Sequence, residues 1–262
     1  MRIKTKKSLG QNFLIDREVL EQITSTVEIA GKDILEIGPG SGNLTAYILK
    51  NNPKKTYVIE KDDDLALLLK DKFSNDIEII NDDILNIDEN KISKKKLTVF
   101  GNLPYNISTE ILSKWVINMN SSIWFESLVL MFQKEVADRI IAEANSSKYG
   151  RLSILSNWKL NIEKIIDIKP QSFSPRPKID SSLLLFTPKE KIFELKNAKN
   201  LEMITRIFFS QRRKMLKKPF NQVFKNAKEI SEKLNINLNL RPQNLEPDIY
   251  FKLVKEYENL RS

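Results

Sequence analysis

The sequence predicts an α/β chain: a doubly wound sheet of parallel strands followed by a small all-helical domain. Three observations carry this. Short apolar runs alternate with segments of helical period, a glycine-rich turn follows one of the first runs, and a lysine-rich tail without strand-like runs begins after Thr187-Pro188. In chain order, residues 17–29 read as a helix leading into the sheet. Strands are expected at 33–37, 56–60, 77–80, 97–101 and 127–132, with later ones at 162–168 and 181–186. Asp62, Asp63 and Asp64 suit a helix start, where carboxylates cap free N–H groups and oppose the dipole. Gln133-Lys134-Glu135 reads as a further helix start with no chemical role. The expected division is a catalytic domain over 1–187 and a helical domain over 188–262.

Composition fits that plan. With 262 residues, 41% hydrophobic and 29% charged, the chain supports one large core and a smaller one. No apolar run approaches a membrane span. The basic first ten residues lack a following apolar region, so a secretory signal is not expected and a cytoplasmic location is. Cysteine is absent, which excludes disulfides, thiolate metal sites and thiol redox chemistry, and no metal is expected.

The first strand runs into Asp33-Ile34-Leu35-Glu36-Ile37-Gly38-Pro39-Gly40-Ser41-Gly42, and a helical pattern with Leu44, Tyr47, Ile48 and Leu49 follows. A dinucleotide fingerprint is G-x-G-x-x-G. Here the third glycine comes one place early, and Asn43 stands where the fingerprint needs it. This variant, with Glu36 before the first glycine, resembles the S-adenosylmethionine site of class I methyltransferases. There the open loop, Gly38 and Gly40 here, lets backbone approach the methionine part, and Glu36 would hold the ammonium end. The next strand ends in Glu60, placed to take both ribose hydroxyls. The one after ends in Asn81-Asp82-Asp83, where a carboxylate would accept from the adenine amino group. Residue chemistry alone does not separate Asp82 from Asp83.

Asn102-Leu103-Pro104-Tyr105 follows the run Leu97-Thr98-Val99-Phe100 and precedes a helix start at Ser108-Thr109, so it lies at the carboxyl end of a strand. The asparagine oxygen and a neighbouring carbonyl can accept from an exocyclic NH2, and the tyrosine ring can stack on its base. Pro104 fixes its own φ and removes a competing donor. That combination suits adenine N6 or cytosine N4. Two absences agree. Without cysteine there is no thiol for covalent attack on a pyrimidine, and without histidine the usual general base is missing. Direct transfer to an exocyclic nitrogen needs neither: acceptors on its protons stabilise the developing charge, and alignment supplies most of the rest.

Net charge is 43 − 34 = +9. Between Arg206 and Lys218 lie Arg206, Arg212, Arg213, Lys214, Lys217 and Lys218, with no acidic residue among them. On a continuous helix Arg206, Arg213 and Lys217 would share one side, and Leu201, Ile204, Phe208 and Met215 an apolar stripe. Arg2, Lys4, Lys6 and Lys7 form a second basic cluster. Both suit nucleic-acid phosphates, with steeply salt-dependent binding.

Five segments together are similar to the ribosomal RNA adenine N6-dimethyltransferase family (the KsgA type), which also includes the Erm resistance enzymes and mitochondrial transcription factor B. They are Ser8 to Asp16 (SLGQNFLID), Glu36 to Gly40, Gly101 to Ser108 (GNLPYNIS), Phe173 to Ser181 (FSPRPKIDS) and Gln211 to Lys214 (QRRK). The resemblance implies that Asn12 and Leu14 cover the cofactor, Gly38 meets it through backbone, Glu60 holds its ribose and Asp83, rather than Asp82, its adenine. Asn102 would touch cofactor and target amine. Phe173 would stack on the flipped adenine opposite Tyr105, completing a catalytic set of Asn102, Leu103, Pro104, Tyr105 and Phe173. The implied substrate is a pair of adjacent adenosines in a hairpin loop near the 3′ end of small-subunit rRNA, each dimethylated within an immature 30S subunit. Unpaired loop bases are cheap to unstack. Arg206, Arg212, Arg213, Lys214 and Lys217 would dock the RNA. Nothing demands more than a monomer. Alternatives are an Erm-type large-subunit enzyme, a DNA adenine methyltransferase, a non-catalytic nucleic-acid-binding factor and, less favoured by the glycine spacing, an NAD oxidoreductase.

Overall fold

Alternating buried runs build the sheet seen in the computed structural model, which describes residues 11–119 and 123–261. The chain forms two compact units. The first comprises 1–114, 119–137 and 162–188; the second comprises 115–118, 138–161 and 189–262. The second unit thus takes in two stretches that the expected division gave to the catalytic domain.

In the first unit, β1 (Phe13–Leu14) and α1 (Arg17–Ser25) lead to β2 (Asp33–Ile37), α2 (Asn43–Lys50), β3 (Lys55–Ile59), α3 (Asp63–Phe73) and β4 (Glu78–Ile80). Then come β5 (Leu97–Asn102), α4 (Ser108–Asn118), β6 (Phe125–Gln133) and α5 (Lys134–Ile140). After α6 (Arg151–Lys159), which belongs to the second unit, follow β7 (Leu160–Ile168), β8 (Phe173–Ser174) and β9 (Ser181–Pro188). The seven-stranded sheet has the order β4-β3-β2-β5-β6-β9-β7. Pairings from β4 through β6 are parallel, and β9 lies antiparallel to β6. The reversal has a local cause: between Ile168 and Ser181 the chain holds only a 3-10 turn and the two-residue β8, no helix to make a parallel crossover. Every residue of β2 is buried, as expected for a strand covered on both faces.

Helix α1 is shorter than the expected 17–29. It starts on Asp16, whose carboxylate accepts from the Glu18 and Val19 amides. It stops where Ser25 and Thr26 turn their hydroxyls back onto the Gln22 carbonyl, both at 3.0 Å, and compete with the helical ladder. β1 pairs antiparallel with β8, Leu14 opposite Phe173. Leu14, Phe100, Met131, Phe173 and Leu183 belong to one buried core cluster.

The second unit is helical over its C-terminal stretch: α7 (Ala198–Ser210), α8 (Lys217–Val223), α9 (Ala227–Lys233) and α10 (Pro247–Asn259), with no strand among described residues 189–261. Its core is aromatic. Phe208 lies 5.5 Å from Phe220 and 5.7 Å from Tyr250, centroid to centroid. Glu258 near the end of α10 accepts from the Lys196 and Asn197 amides and the Asn200 side chain, each at 2.9 Å, fixing the start of α7.

Candidate active site

A cleft of about 1260 Å³, part of it open to solvent, lies at the carboxyl ends of β2, β3 and β5. In an open α/β sheet the crevice forms where neighbouring strands continue in opposite directions, here between β2 and β5. Asn12, Leu14, Glu36, Gly38, Gly40, Glu60, Asp82, Asp83 and Asn102 to Tyr105 all line it. Sequence-distant candidates therefore share one wall.

The glycine loop is built to be close to whatever fills the cleft. Gly38, Gly40 and Gly42 have φ of +64°, +57° and +75°, the left-handed region that side chains avoid. A Cβ on Gly40 would stand 2.7 Å from the Phe13 ring, so the loop and β1 approach as closely as they do only because no side chain intervenes. Gly42 caps α2 in this conformation.

Two carboxyls sit behind the loop. Glu36 is 1% exposed, and burial pushes its carboxyl up to about 8 against the opposing hydrogen bond from Thr45 Oγ1, 2.6 Å from Oε2. Glu60 accepts from the Gly40 amide at 3.1 Å and the Asp62 amide at 2.9 Å. Burial raises its pKa too, and those amides oppose the shift. A carboxylate has about four acceptor positions, and the Gly40, Asp62 and Lys61 amides engage part of that capacity on Glu60. Asp83 is held below the ordinary range by Lys61, 2.7 Å away, and then by the Leu85 amide. Asp82 accepts the Asp83 amide at 2.6 Å and lines the same rim.

The segment over the cleft is held by two side-chain amides. Asn43 Nδ2 donates to the Leu14 carbonyl at 2.8 Å, and Asn102 Nδ2 to the Asn12 carbonyl at 2.8 Å. The second bond fixes the Asn102 amide: its NH2 is engaged, and its oxygen is left as an acceptor. The Pro104 carbonyl accepts the Ile107 amide at 3.1 Å, closing the turn that carries Tyr105. The Tyr105 hydroxyl meets Ser181 Oγ at 2.7 Å, and burial holds its proton on by raising its pKa.

Phe173 stands elsewhere. It is 1% exposed, packed in the core cluster with Leu14 and Phe100, and absent from the cleft lining. Its place is a loop anchor, because pairing with Leu14 aims it into the core; stacking on a base would require the ring to leave that cluster.

The basic run is also arranged differently from a continuous helix. α7 ends at Ser210 and α8 begins at Lys217, so Arg206, Arg213 and Lys217 do not share one helix face. Met215 is 59% exposed, whereas Leu201, Ile204 and Phe208 form the buried stripe of α7. Arg212 is turned inward: its guanidinium donates to the Ser147 carbonyl at 2.5 Å, the Ser146 carbonyl at 3.3 Å and Gln243 Oε1 at 3.3 Å. It ties its own stretch to two others of the same unit, at Ser146–Ser147 and at Gln243. Arg206, Arg213, Lys214 and Lys217 are exposed. The cluster Arg2, Lys4, Lys6 and Lys7 lies outside the described residues, as do Ser8 to Gly10. Among the described residues no group of His, Cys, Asp and Glu could hold a metal, and no helix is long and apolar enough to cross a membrane.

Sequence reading missed Asn43, Thr45 and Ser181 as parts of this site. Asn43 carried the one available signal, a polar residue in place of the expected glycine; Thr45 reads as an ordinary helical residue, and Ser181 only as the end of a motif.

The sheet order, the glycine loop and the cleft define a class I methyltransferase fold. A crystal structure of a dimethyladenosine transferase from Plasmodium falciparum superposes with a TM-score of 0.81 at 28% identity, covering 94% of this chain and 98% of that one. The 23S rRNA methyltransferase ErmE shares the fold, with a TM-score of 0.70 at 21% identity over 94% of this chain and 100% of that one. The chain belongs to the ribosomal RNA adenine dimethylase family, whose model matches residues 2–259. It is 77% identical over 261 residues to the ribosomal RNA small subunit methyltransferase A of Pelagibacter ubique, covering 100% of both chains. It is 43% identical over 250 residues to the protein of that name from Ehrlichia ruminantium, covering 93% of both.

Proposed function

We propose that this chain uses S-adenosylmethionine to dimethylate N6 of two adjacent adenosines in the hairpin loop near the 3′ end of small-subunit rRNA. Membership of the adenine dimethylase family supports the reaction. The observation that carries the chemistry is the Asn102 amide, anchored by its nitrogen on Asn12 at 2.8 Å with its oxygen left to accept.

The residues present fit the cofactor. A loop with three positive-φ glycines leaves room for backbone contact, and a Cβ at Gly40 would instead press on the Phe13 ring and displace the loop. Glu36 would hold the ammonium, Gly38 and Gly40 the amino-acid end, Glu60 the ribose through its remaining acceptor capacity, and Asp83 the adenine amine. Asn12 and Leu14 would cover it. When bound, it supplies an electrophilic methyl on a sulfonium sulfur. Asn102 Oδ1 and the Leu103 carbonyl accept the two protons of the target amine. That favours a pyramidal nitrogen and stabilises the charge developing on it. Pro104 offers no donor, and its own carbonyl is already engaged by Ile107. Tyr105 stacks on the extruded base and orients it. The proton released after transfer leaves to water, so no histidine is needed.

Arg206, Arg213, Lys214 and Lys217 would contact rRNA phosphates of an immature 30S subunit, with the protein acting as a cytoplasmic monomer. The test offers radiolabelled cofactor in parallel to unmethylated small subunits, large subunits and duplex DNA, then maps the product. Dimethyladenosine in the small-subunit hairpin is expected. Label confined to large subunits or DNA, or no cofactor binding at all, would refute the proposal.

A further inference from the structure

The proposed function uses Tyr105 but leaves Ser181, the last residue of the Phe173 to Ser181 motif, without a task. Ser181 is fully buried at the head of β9 and stands opposite Gln133 in the antiparallel ladder with β6. β6 in turn pairs with β5, where Asn102 stands opposite Met131. The sheet thus fixes Ser181 relative to the strand that presents Asn102. Tyr105 itself sits on an irregular turn, three residues past the end of that strand. Its ring lines the cleft, and its hydroxyl reaches Ser181 Oγ at 2.7 Å. A ring on a turn has rotamer freedom to lose on stacking; a hydrogen bond to a rigid strand removes that freedom beforehand. The hydroxyl is at the far end of the ring from Cβ, so one bond there fixes the direction of the ring's long axis and holds the side chain in one χ1 rotamer.

We propose that Ser181 is a positioning residue for the target base, acting through Tyr105 to anchor the stacking ring beside the place where the amine is presented. The proposal rests on the methyltransferase reading above. It bears most on the second transfer. Once the amine carries one methyl, that group must turn away so that the remaining N–H meets an acceptor and the nitrogen lone pair faces the incoming methyl. A loosely held base loses that second alignment before the first.

The experiment compares Ser181→Ala, Tyr105→Phe and the double variant with the natural protein on unmethylated small subunits. It measures turnover, cofactor affinity and the ratio of mono- to dimethyladenosine after nuclease digestion. Each single variant is expected to lower turnover roughly 3- to 10-fold, the kinetic equivalent of one hydrogen bond, and to raise the monomethyl share. Cofactor affinity should be unchanged, and the double variant no slower than either single one. Tyr105→Phe leaves β9 intact and carries the test if Ser181→Ala fails to fold. Equal activity and product ratio in the variants, multiplicative losses in the double variant, or a matching fall in cofactor affinity would overturn the proposal. If the natural protein itself leaves small subunits unmethylated, the underlying reading fails and this one with it.

Discussion

Replacing Glu36 by glutamine keeps the shape of the buried side chain and a partner for Thr45, and removes only its ability to ionise. Burial raises the Glu36 carboxyl from 4.5 to about 8 in the folded protein. Between those values the unfolded chain has lost the proton and the folded one keeps it. Stability therefore falls as pH rises, by about 1.4 kcal/mol per unit. From pH 5 to pH 8 the Glu36 contribution costs about 4 kcal/mol, and below 4.5 it vanishes. Glu36→Gln is exempt. Its melting midpoint should pull ahead of the natural protein by roughly 10 °C across that interval, given about 2–4 °C per kcal/mol at this size. Other titrating groups cancel in the comparison. The assay is thermal unfolding without cofactor at half-unit steps of pH. Parallel curves for the two proteins would refute the burial argument. A bound ammonium needs the carboxylate, so cofactor affinity in the natural protein should rise up to tenfold per pH unit toward 8, while the glutamine variant binds weakly at every pH.

Further outcomes follow from the same geometry. Asn102→Ala should fold, keep RNA affinity and lose roughly 100- to 1000-fold in turnover, as measured by single-turnover methylation. Gly40→Ala should weaken cofactor binding in calorimetry, because its Cβ would meet Phe13 at 2.7 Å from a φ of +57°. Arg213→Glu with Lys217→Glu should weaken small-subunit binding and flatten its salt dependence while leaving cofactor affinity alone. Arg212→Ala should instead lower the unfolding midpoint, since three acceptors lose a partly buried cationic donor.

The sheet was readable because its strands are apolar runs bounded by turn residues, and those signals are local. β9 shows where that stops. Its run, Ser181 to Phe186, specifies a strand, and its antiparallel direction depends on the shortness and irregularity of the link from β7. The break between α7 and α8 was hidden for a related reason. Arg206 to Lys218 has no glycine and no proline, so helical spacing read straight through it. The interruption is stabilised by distant groups: the Leu216 and Lys217 amides donate to the carbonyls of Leu240 and Leu238. Arg212 was misread because an arginine in a basic run looks the same whether its guanidinium faces water or the Ser146 and Ser147 carbonyls.

At the cleft the types of residue were legible and their orientations were not. The sequence names an asparagine two places before a proline and three before a tyrosine, which is enough for a chemistry. An amide, though, offers either a donor or an acceptor to a ligand, and only an acceptor suits an exocyclic amine. What settles the orientation is the Asn12 carbonyl, 90 positions earlier in the chain, which takes the Asn102 NH2. Asn43 does the same for Leu14 across 29 positions. Both bonds tie the same short segment beside the cleft, so that segment and the Asn102 amide are fixed together. Loosening that segment should therefore misorient Asn102 as well as expose the cofactor. A substitution at Asn43, remote from the target base, would then reduce turnover as well as cofactor affinity.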